Sequence, residues 1–179
     1  FNKIGPMLLG TFPFVMIFLV TSINMLRERN QGTLDRMLVS PIGRADIMVG
    51  YAAAFAVVAA LQCAITMTFA RLLLDMSVQG STVAAFAIVL LIALYGNALG
   101  LTLSAFARSE FQAVQFMPLF LLPQIFLSGL LVPAEQMPRA MEVLARVNPL
   151  TYVFRLLSSV MNQGAGFWDA ENSTDIAVA

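Results

Sequence analysis

Apolar residues occur in four long blocks that contain no charged side chain. Each block is long enough to cross a hydrocarbon core about 30 Å thick as an α-helix, which needs about 20 residues. None shows the strict alternation of apolar and polar positions that is typical of membrane β-strands. The pattern therefore predicts four membrane-spanning helices, which cover about 4–26, 47–70, 83–107 and 111–132.

The composition agrees with a membrane protein. The chain has 179 residues, of which 59% are hydrophobic and 11% are charged. Charged residues make up about 25% of a typical soluble domain. We therefore assign the fold class as all-α, a polytopic helical membrane protein with a single transmembrane domain over 1–179. The chain begins at Phe1 and ends in STDIAVA, where a new apolar run begins, so we expect a fragment of a longer protein.

Charge is concentrated in one connecting segment, 27–46. This segment holds seven of the twenty charged residues (10 Lys+Arg and 10 Asp+Glu), and four of the seven are arginines. Arginine and lysine are enriched in the cytoplasmic loops of membrane proteins. Each side of the predicted membrane has five of these residues, but four of them lie in this one short segment, so we predict that 27–46 is cytoplasmic. The net charge of the whole chain is zero, which provides no basic field for binding nucleic acid.

The same segment predicts a short helix that is bounded by two breaks. Thr33 is expected to act as the N-cap, and Asp35 lies in the first turn, where the helix dipole favours an acidic residue. Gly32 loosens the connection to the preceding span. Pro41 disfavours the α conformation at Ser40 and ends the helix.

One face of this short helix is apolar, because Leu34, Met37 and Leu38 follow i, i+3, i+4 spacing. In one interpretation the segment is a solvated loop whose apolar face rests on lipid headgroups. In the other, the three side chains fill a groove in a cytoplasmic partner. The residue pattern by itself favours the first interpretation, since helix-in-groove patterns this short are common by chance.

Two motifs resemble those of ABC-2 type transporter permeases, the membrane subunits of bacterial ABC exporters. RERNQGTLDRMLVSPI is similar to the family pattern R-E-R-x-x-G-T-L-[DE]-x-[LM]-L-V-[ST]-P-[IV]. The matching residues are Arg27, Glu28, Arg29, Gly32, Thr33, Leu34, Asp35, Leu38, Val39, Ser40, Pro41 and Ile42. A second motif resembles the region after the fifth span of the family. Its matching residues are Ser128, Gly129, Pro133, Pro138, Asn148, Pro149, Leu150, Thr151 and Tyr152. Ser158 departs from the pattern, because many relatives have arginine there.

The resemblance implies an architecture and a set of partners. A complete subunit would have six spans in the bacterial inner membrane, and the four spans here would be the second to the fifth. Segment 27–46 would carry a coupling helix that rests in a groove of a separate ABC ATPase subunit. Segment 133–160 would form a partly re-entrant extracytoplasmic hairpin, and a second permease subunit would complete a homodimer or heterodimer. The residues expected to couple to the ATPase are Arg27, Glu28, Arg29, Gly32, Thr33, Leu34, Asp35, Met37, Leu38, Ser40 and Pro41.

The chain lacks the residues that ATP hydrolysis requires. A Walker A loop needs Gly-Lys followed by Ser or Thr, but Lys3, the sole lysine, is followed by Ile4. Histidine is absent and Cys63 is the sole cysteine, which excludes His/Cys zinc sites and Ser-His-Asp or Cys-His catalysis in this sequence. We therefore predict a chain that is not an enzyme and binds no cofactor, with ATP and Mg²⁺ held by the partner ATPase.

Several polar and aromatic residues within the spans are candidates for a transport pathway. These are Asn24, Asn97, Gln115, Phe116, Phe120 and Gln124. The alternatives are interhelical hydrogen bonds for the polar residues and ordinary lipid-facing packing for the aromatic ones. Small residues in the third span would permit close helix contact, within one subunit or between two. They are Gly96, Ala98, Gly100 and Ser104.

These observations predict the membrane-spanning permease subunit of an ATP-driven ABC exporter, which moves a lipophilic small molecule or drug by alternating access. Membrane lipid is a further expected partner. Two alternatives remain open. An ion-coupled carrier or channel would work without an ATPase, although such carriers usually keep a charged residue within a span. A membrane anchor or assembly subunit would bind the ATPase without forming a pathway.

Overall fold

The computed structural model describes residues 4–73, 81–127, 141 and 148–163. Within these ranges the chain forms helices and no strand. The helices are α1 (Ile4–Asn30), α2 (Thr33–Leu38), α3 (Arg44–Leu73), α4 (Thr82–Ser104), α5 (Glu110–Leu127) and α6 (Pro149–Gln163). Helices α1, α3, α4 and α5 are long and apolar enough to cross a membrane. The chain is therefore an all-α polytopic membrane protein, which confirms the predicted fold class.

The helix ends differ from the ends of the apolar blocks. α1 continues to Asn30, past residue 26, and α3 begins at Arg44, before residue 47. α4 ends at Ser104, before residue 107, because the N–H groups of Ala105 and Phe106 bond to carbonyls three residues back at 3.3 and 3.1 Å. Such tighter turns are common where an α-helix ends. Hydropathy marks the part of a helix that contacts hydrocarbon, whereas backbone hydrogen bonds determine where the helix ends.

Helix α4 packs directly against the backbone of α1. A Cβ atom added at Gly96 would lie 2.8 Å from the Phe14 carbonyl oxygen, and one at Gly100 would lie 2.8 Å from that of Phe18. Both contacts have the same sequence offset (96 − 14 = 82 and 100 − 18 = 82), so the two helices run parallel. Glycine permits this close approach because it has no side chain. These two glycines therefore pack inside the subunit.

A buried polar contact connects three of the spanning helices. Thr21 Oγ1 on α1 donates to Asn97 Oδ1 on α4 at 3.0 Å, and Asn97 Nδ2 donates to the Ala52 carbonyl on α3 at 3.1 Å. The exposed fractions of Thr21 and Asn97 are 0% and 4%. A buried amide without partners would be costly in an apolar interior, so these bonds fix how the three helices are arranged.

Helix α6 lies against α1 and α4 through one apolar face. The buried residues of this face are Leu150, Phe154, Leu157, Val160 and Met161. A Cβ atom added at Gly10 on α1 would lie 2.8 Å from the Phe154 ring, so the ring packs directly on that helix. The predicted hairpin over 133–160 includes most of α6. Its part before Asn148 lies outside the described residues, apart from position 141.

The NPLTY motif joins α5 to α6. Asn148 Oδ1 accepts a hydrogen bond from the Leu150 N–H at 3.2 Å, and its Nδ2 donates to the Gln124 carbonyl at 2.9 Å. Thr151 Oγ1 donates to the Leu127 carbonyl at 3.4 Å. These two side chains therefore connect the start of α6 to carbonyls in the last described turn of α5. Asn148 also caps the N-terminus of α6.

Candidate functional site

The candidate site lies at the end of the bundle where α2 is found. It comprises the end of α1, the short helix α2, the start of α3, and the turn between α4 and α5. Contacts between these elements bring residues 25–48 and 101–110 together. We call this region the α2 end of the bundle.

Gly32 determines how α2 begins. Its φ of 72° is left-handed, which glycine adopts without steric cost. The Gly32 carbonyl accepts the first helical hydrogen bond, from the Arg36 N–H at 3.1 Å, so Gly32 is the N-cap. The prediction that Thr33 caps the helix is therefore wrong. The N-cap lies one residue before the predicted position, and Thr33 is the first residue of α2.

Hydrogen bonds of Ser40 mark the end of α2. It ends at Leu38, and the N–H and Oγ of Ser40 both bond to the Met37 carbonyl, at 3.1 and 2.5 Å. Ser40 therefore bonds a carbonyl left free by the helix end, and Pro41 follows it in exposed, non-helical backbone. Only six residues are helical, and none of them is buried.

Arg27 and Arg29 connect the end of α1 to the turn between α4 and α5. Arg27 binds the Glu110 carboxylate through two nitrogens, with Nε–Oε1 2.7 Å and Nη2–Oε2 2.9 Å. Arg29 donates to the carbonyl of Ala105 at 2.8 Å and to that of Ala107. Because the first pair is exposed, solvent weakens it, and its main effect is to orient the two helices.

A small apolar cluster lies beside these polar contacts. Leu26, Ala107 and Ala113 are buried against one another, and the partly buried Phe116 packs on them. Arg27 and Arg29 therefore connect helices that already contact through apolar side chains.

Glu28 faces α3. Its carboxyl group lies within electrostatic reach of Tyr51, and its Oε2 atom is buried without a hydrogen-bond partner. The Tyr51 hydroxyl is also 3.8 Å from the sulfur of Met37 on α2. Tyr51 thus meets residues from both α1 and α2.

The apolar residues of α2 do not all face outward. Leu34 and Leu38 line a cavity of about 270 Å³ between α2 and the bundle. Leu38 is 40% exposed and Met37 is 37% exposed, so both also reach the surface. Within segment 27–46, the two most exposed apolar residues follow the helix: Val39 is 88% exposed and Ile42 is 52% exposed. Helical periodicity missed these two because they lie after α2 ends, although both match the first motif.

Comparison with known proteins identifies the family. The model of the ABC-2 type transporter family matches residues 1–162. The chain belongs to the ABC-2 type transporter family.

Three curated relatives of the chain carry permease names. The chain is 31% identical over 147 residues to the probable multidrug ABC transporter permease YbhR of Escherichia coli K12, covering 82% of this chain and 40% of that protein. It is 26% identical over 155 residues to the inner membrane transport permease YhhJ of the same organism, covering 86% and 41%. It is 27% identical over 157 residues to the linearmycin resistance permease protein LnrN of Bacillus subtilis, covering 87% and 40%. The chain thus spans about two fifths of these relatives. No solved structure matches it.

The pathway candidates of this ABC-2 chain occupy different environments. Asn97 is buried and bonded to α1 and α3, as described above, so it has a structural role in the packed interior. Asn24 is exposed and bonds to the Val20 carbonyl of its own helix at 2.7 Å. Gln124 is partly buried beside the Tyr95 hydroxyl, and its Oε1 lacks a hydrogen-bond partner. Of the two interpretations given for the polar candidates, Asn97 therefore fits interhelical hydrogen bonding.

The remaining candidates lie on α5. Gln115 and Phe120 are exposed on its surface, whereas Phe116 packs against the cluster around Leu26. Gln115 and Phe120 could therefore contact a molecule outside this chain. Among the described residues, no group of three His, Cys, Asp or Glu side chains could hold a metal ion.

Proposed function

We propose that this chain is part of the permease subunit of an ATP-driven ABC exporter in the bacterial inner membrane, and that the α2 end binds a separate ATPase subunit. The observation that carries the proposal is the exposed helix α2, which is attached to two parts of the bundle at once. It follows α1, whose last turn binds the turn between α4 and α5 through Arg27 and Arg29. It contacts α3 through Met37 and Tyr51.

The proposed contact surface consists of the exposed apolar side chains of Met37, Leu38, Val39 and Ile42. Asp35 and Arg36 are exposed beside it. An apolar centre with charged residues at its edge is the usual composition of a protein interface. This surface lies in the segment where the sequence predicted the ATPase contact. It includes Val39 and Ile42, which were not among the predicted contact residues, and it excludes Leu34, which faces the cavity.

Movement of the ATPase would reach the membrane through the same contacts. Displacement of α2 would act on α1 through Gly32 and on the start of α5 through the Arg27–Glu110 pair. Alternating access requires that ATP binding favour one of two arrangements of the spans. Gln115 and Phe120 on α5, the candidates exposed outside the chain, would then meet the transported molecule or a second permease subunit.

The transported molecule is proposed to be lipophilic. The exposed surface of α5 carries Phe111, Leu119, Leu122 and Phe126, and mid-span charges are absent from the sequence. The names of the relatives, which refer to multidrug transport and linearmycin resistance, support the same substrate class.

The test is co-purification of the full-length permease with its ATPase after replacing Val39 and Ile42 by Asp. Burying an aliphatic side chain contributes about 1.5–3 kcal/mol, so losing two of them should weaken the complex more than about 100-fold.

Phe106→Asp is the matched control, because Phe106 is 68% exposed on the turn between α4 and α5 at the same end. It should keep the ATPase bound, and all variants should insert into the membrane. An unchanged complex with the double variant would show that the ATPase does not bind here. Transport without any ATPase would instead support an ion-coupled carrier.

A further inference from the structure

The cavity behind α2 has apolar walls and a volume of about 270 Å³. Its aliphatic side chains come from four helices: Met25, Leu34, Leu38, Ile47, Met48 and Leu101. This volume greatly exceeds the share of one water molecule, about 30 Å³, and apolar walls offer water few hydrogen-bond partners. The cavity is therefore suited to a hydrocarbon group.

Arg29 and Arg44 are also among the ten residues that line this cavity, and none of the ten is Asp or Glu. Arg29 is held by the Ala105 and Ala107 carbonyls, which are neutral and leave its positive charge in place. Arg44 is exposed at the first residue of α3, where the helix dipole disfavours a positive charge. Asp46 lies in the same turn, but its carboxylate is beside Gly43 and does not line the cavity. An anion at the cavity would therefore interact favourably with both arginines.

The position of the cavity identifies the source of such a molecule. It lies where the spanning helices α1, α3 and α4 reach one end of the bundle, so its arginines are near the level of the lipid headgroups. Basic pockets between membrane helices are known to bind anionic lipid headgroups. A bilayer lipid also provides the acyl chain that the apolar walls require.

We propose that an anionic phospholipid binds here, with one acyl chain inserted between α2 and the bundle and its phosphate beside Arg44 and Arg29. The lipid would support Leu34 and Leu38 from the side opposite the proposed ATPase contact. Binding of the lipid requires no ATPase, so this proposal is independent of the proposed function.

The experiment uses the full-length permease reconstituted into phosphatidylcholine vesicles with and without phosphatidylglycerol. A phosphatidylglycerol carrying a photoactivatable group on its acyl chain is added, and labelled peptides are identified by mass spectrometry. We expect labelling of the peptides that contain Leu34 and Leu101, and less labelling with the phosphatidylcholine analogue. One arginine near an anionic lipid contributes about 1 kcal/mol, so Arg44→Gln should lower the affinity about fivefold.

Two further variants test whether labelling depends on the space in the cavity and on an arginine outside it. Ala105→Leu adds side-chain volume at the exposed cavity wall and should also reduce labelling. Arg108→Gln removes an exposed arginine from the same end of the bundle, outside the cavity, and should leave labelling unchanged.

Three outcomes would overturn the proposal. The first is labelling that is equal with the two lipids. The second is labelling that Arg44→Gln and Ala105→Leu leave unchanged. The third is labelling that a lipophilic drug or the ATPase removes and that shows no dependence on phosphatidylglycerol, which would assign the cavity to that occupant.

Discussion

Arg27 and Glu110 form a two-point ion pair between the end of α1 and the first residue of α5, although 83 positions separate them in the sequence. Planar guanidinium and carboxylate groups that meet in this way fix orientation as well as distance. The pair therefore holds the turn between α4 and α5 in a defined position relative to α2.

The first prediction concerns this ion pair. Arg27→Gln and Glu110→Gln should each leave the thermal stability of the full-length permease nearly unchanged, because the pair is exposed to solvent. Each should lower transport per ATP hydrolysed, because the apolar cluster around Leu26 would still hold α1 and α5 together but would orient them less strictly. Transport and ATPase rates in vesicles measure this ratio.

The control for that experiment is the reversed pair, Arg27→Glu with Glu110→Arg. It should recover part of the ratio, since the charges can again meet. If both single variants transport normally, the ion pair has no coupling role.

The second prediction concerns the contact between α1 and α4. Gly96→Ala would place a Cβ atom 2.8 Å from the Phe14 carbonyl oxygen, which belongs to the backbone and cannot rotate away. Overpacking of this kind typically costs about 1–3 kcal/mol. We expect a lower unfolding temperature in detergent. Gly50→Ala is the matched control, because a Cβ atom at Gly50 meets nothing within 4 Å. It should keep or raise the unfolding temperature, since alanine is the better helix former.

The third prediction concerns the NPLTY motif. Asn148→Ala removes the cap of α6 and the bond to the Gln124 carbonyl, and loss of an N-cap alone costs about 1 kcal/mol. Hydrogen exchange should become faster in the first turn of α6. Asn24→Ala is the control and should leave exchange in α6 unchanged, because the Asn24 side chain donates to the Val20 carbonyl of its own helix, α1. Unchanged exchange in α6 would show that its apolar face alone positions it.

The sequence was sufficient to predict the helical class and the main spans, because long apolar blocks have few other structural solutions in a membrane. It also predicted both breaks around α2, since Gly32 and Pro41 act on the local backbone. The role of Thr33 was predicted wrongly because the left-handed backbone of Gly32 places the N-cap at Gly32, one position earlier. Capping preferences favour Thr over Gly and do not show which residue has this backbone conformation.

Contacts between distant segments could not be predicted. Spacing shows that Leu34 and Leu38 share a face, but the packing of α1, α3 and α4 decides that this face meets a cavity. Glu110 likewise has no local feature that marks it as the partner of Arg27. The choice between a subunit interface and internal packing for Gly96 was open in the sequence and is settled by its contact with α1.

The final prediction concerns Gly32. Its φ of 72° is left-handed, and adding a Cβ atom there costs about 1–2 kcal/mol even though no atom lies within 4 Å of that position. Gly32→Ala should therefore disturb the start of α2 and weaken ATPase co-purification without loss of membrane insertion. Gly32→Asn is the informative comparison, since asparagine tolerates this conformation better than alanine. It should retain more ATPase than Gly32→Ala. If both variants lose the same amount of ATPase, binding depends on the flexibility of glycine at position 32 and not on its left-handed conformation.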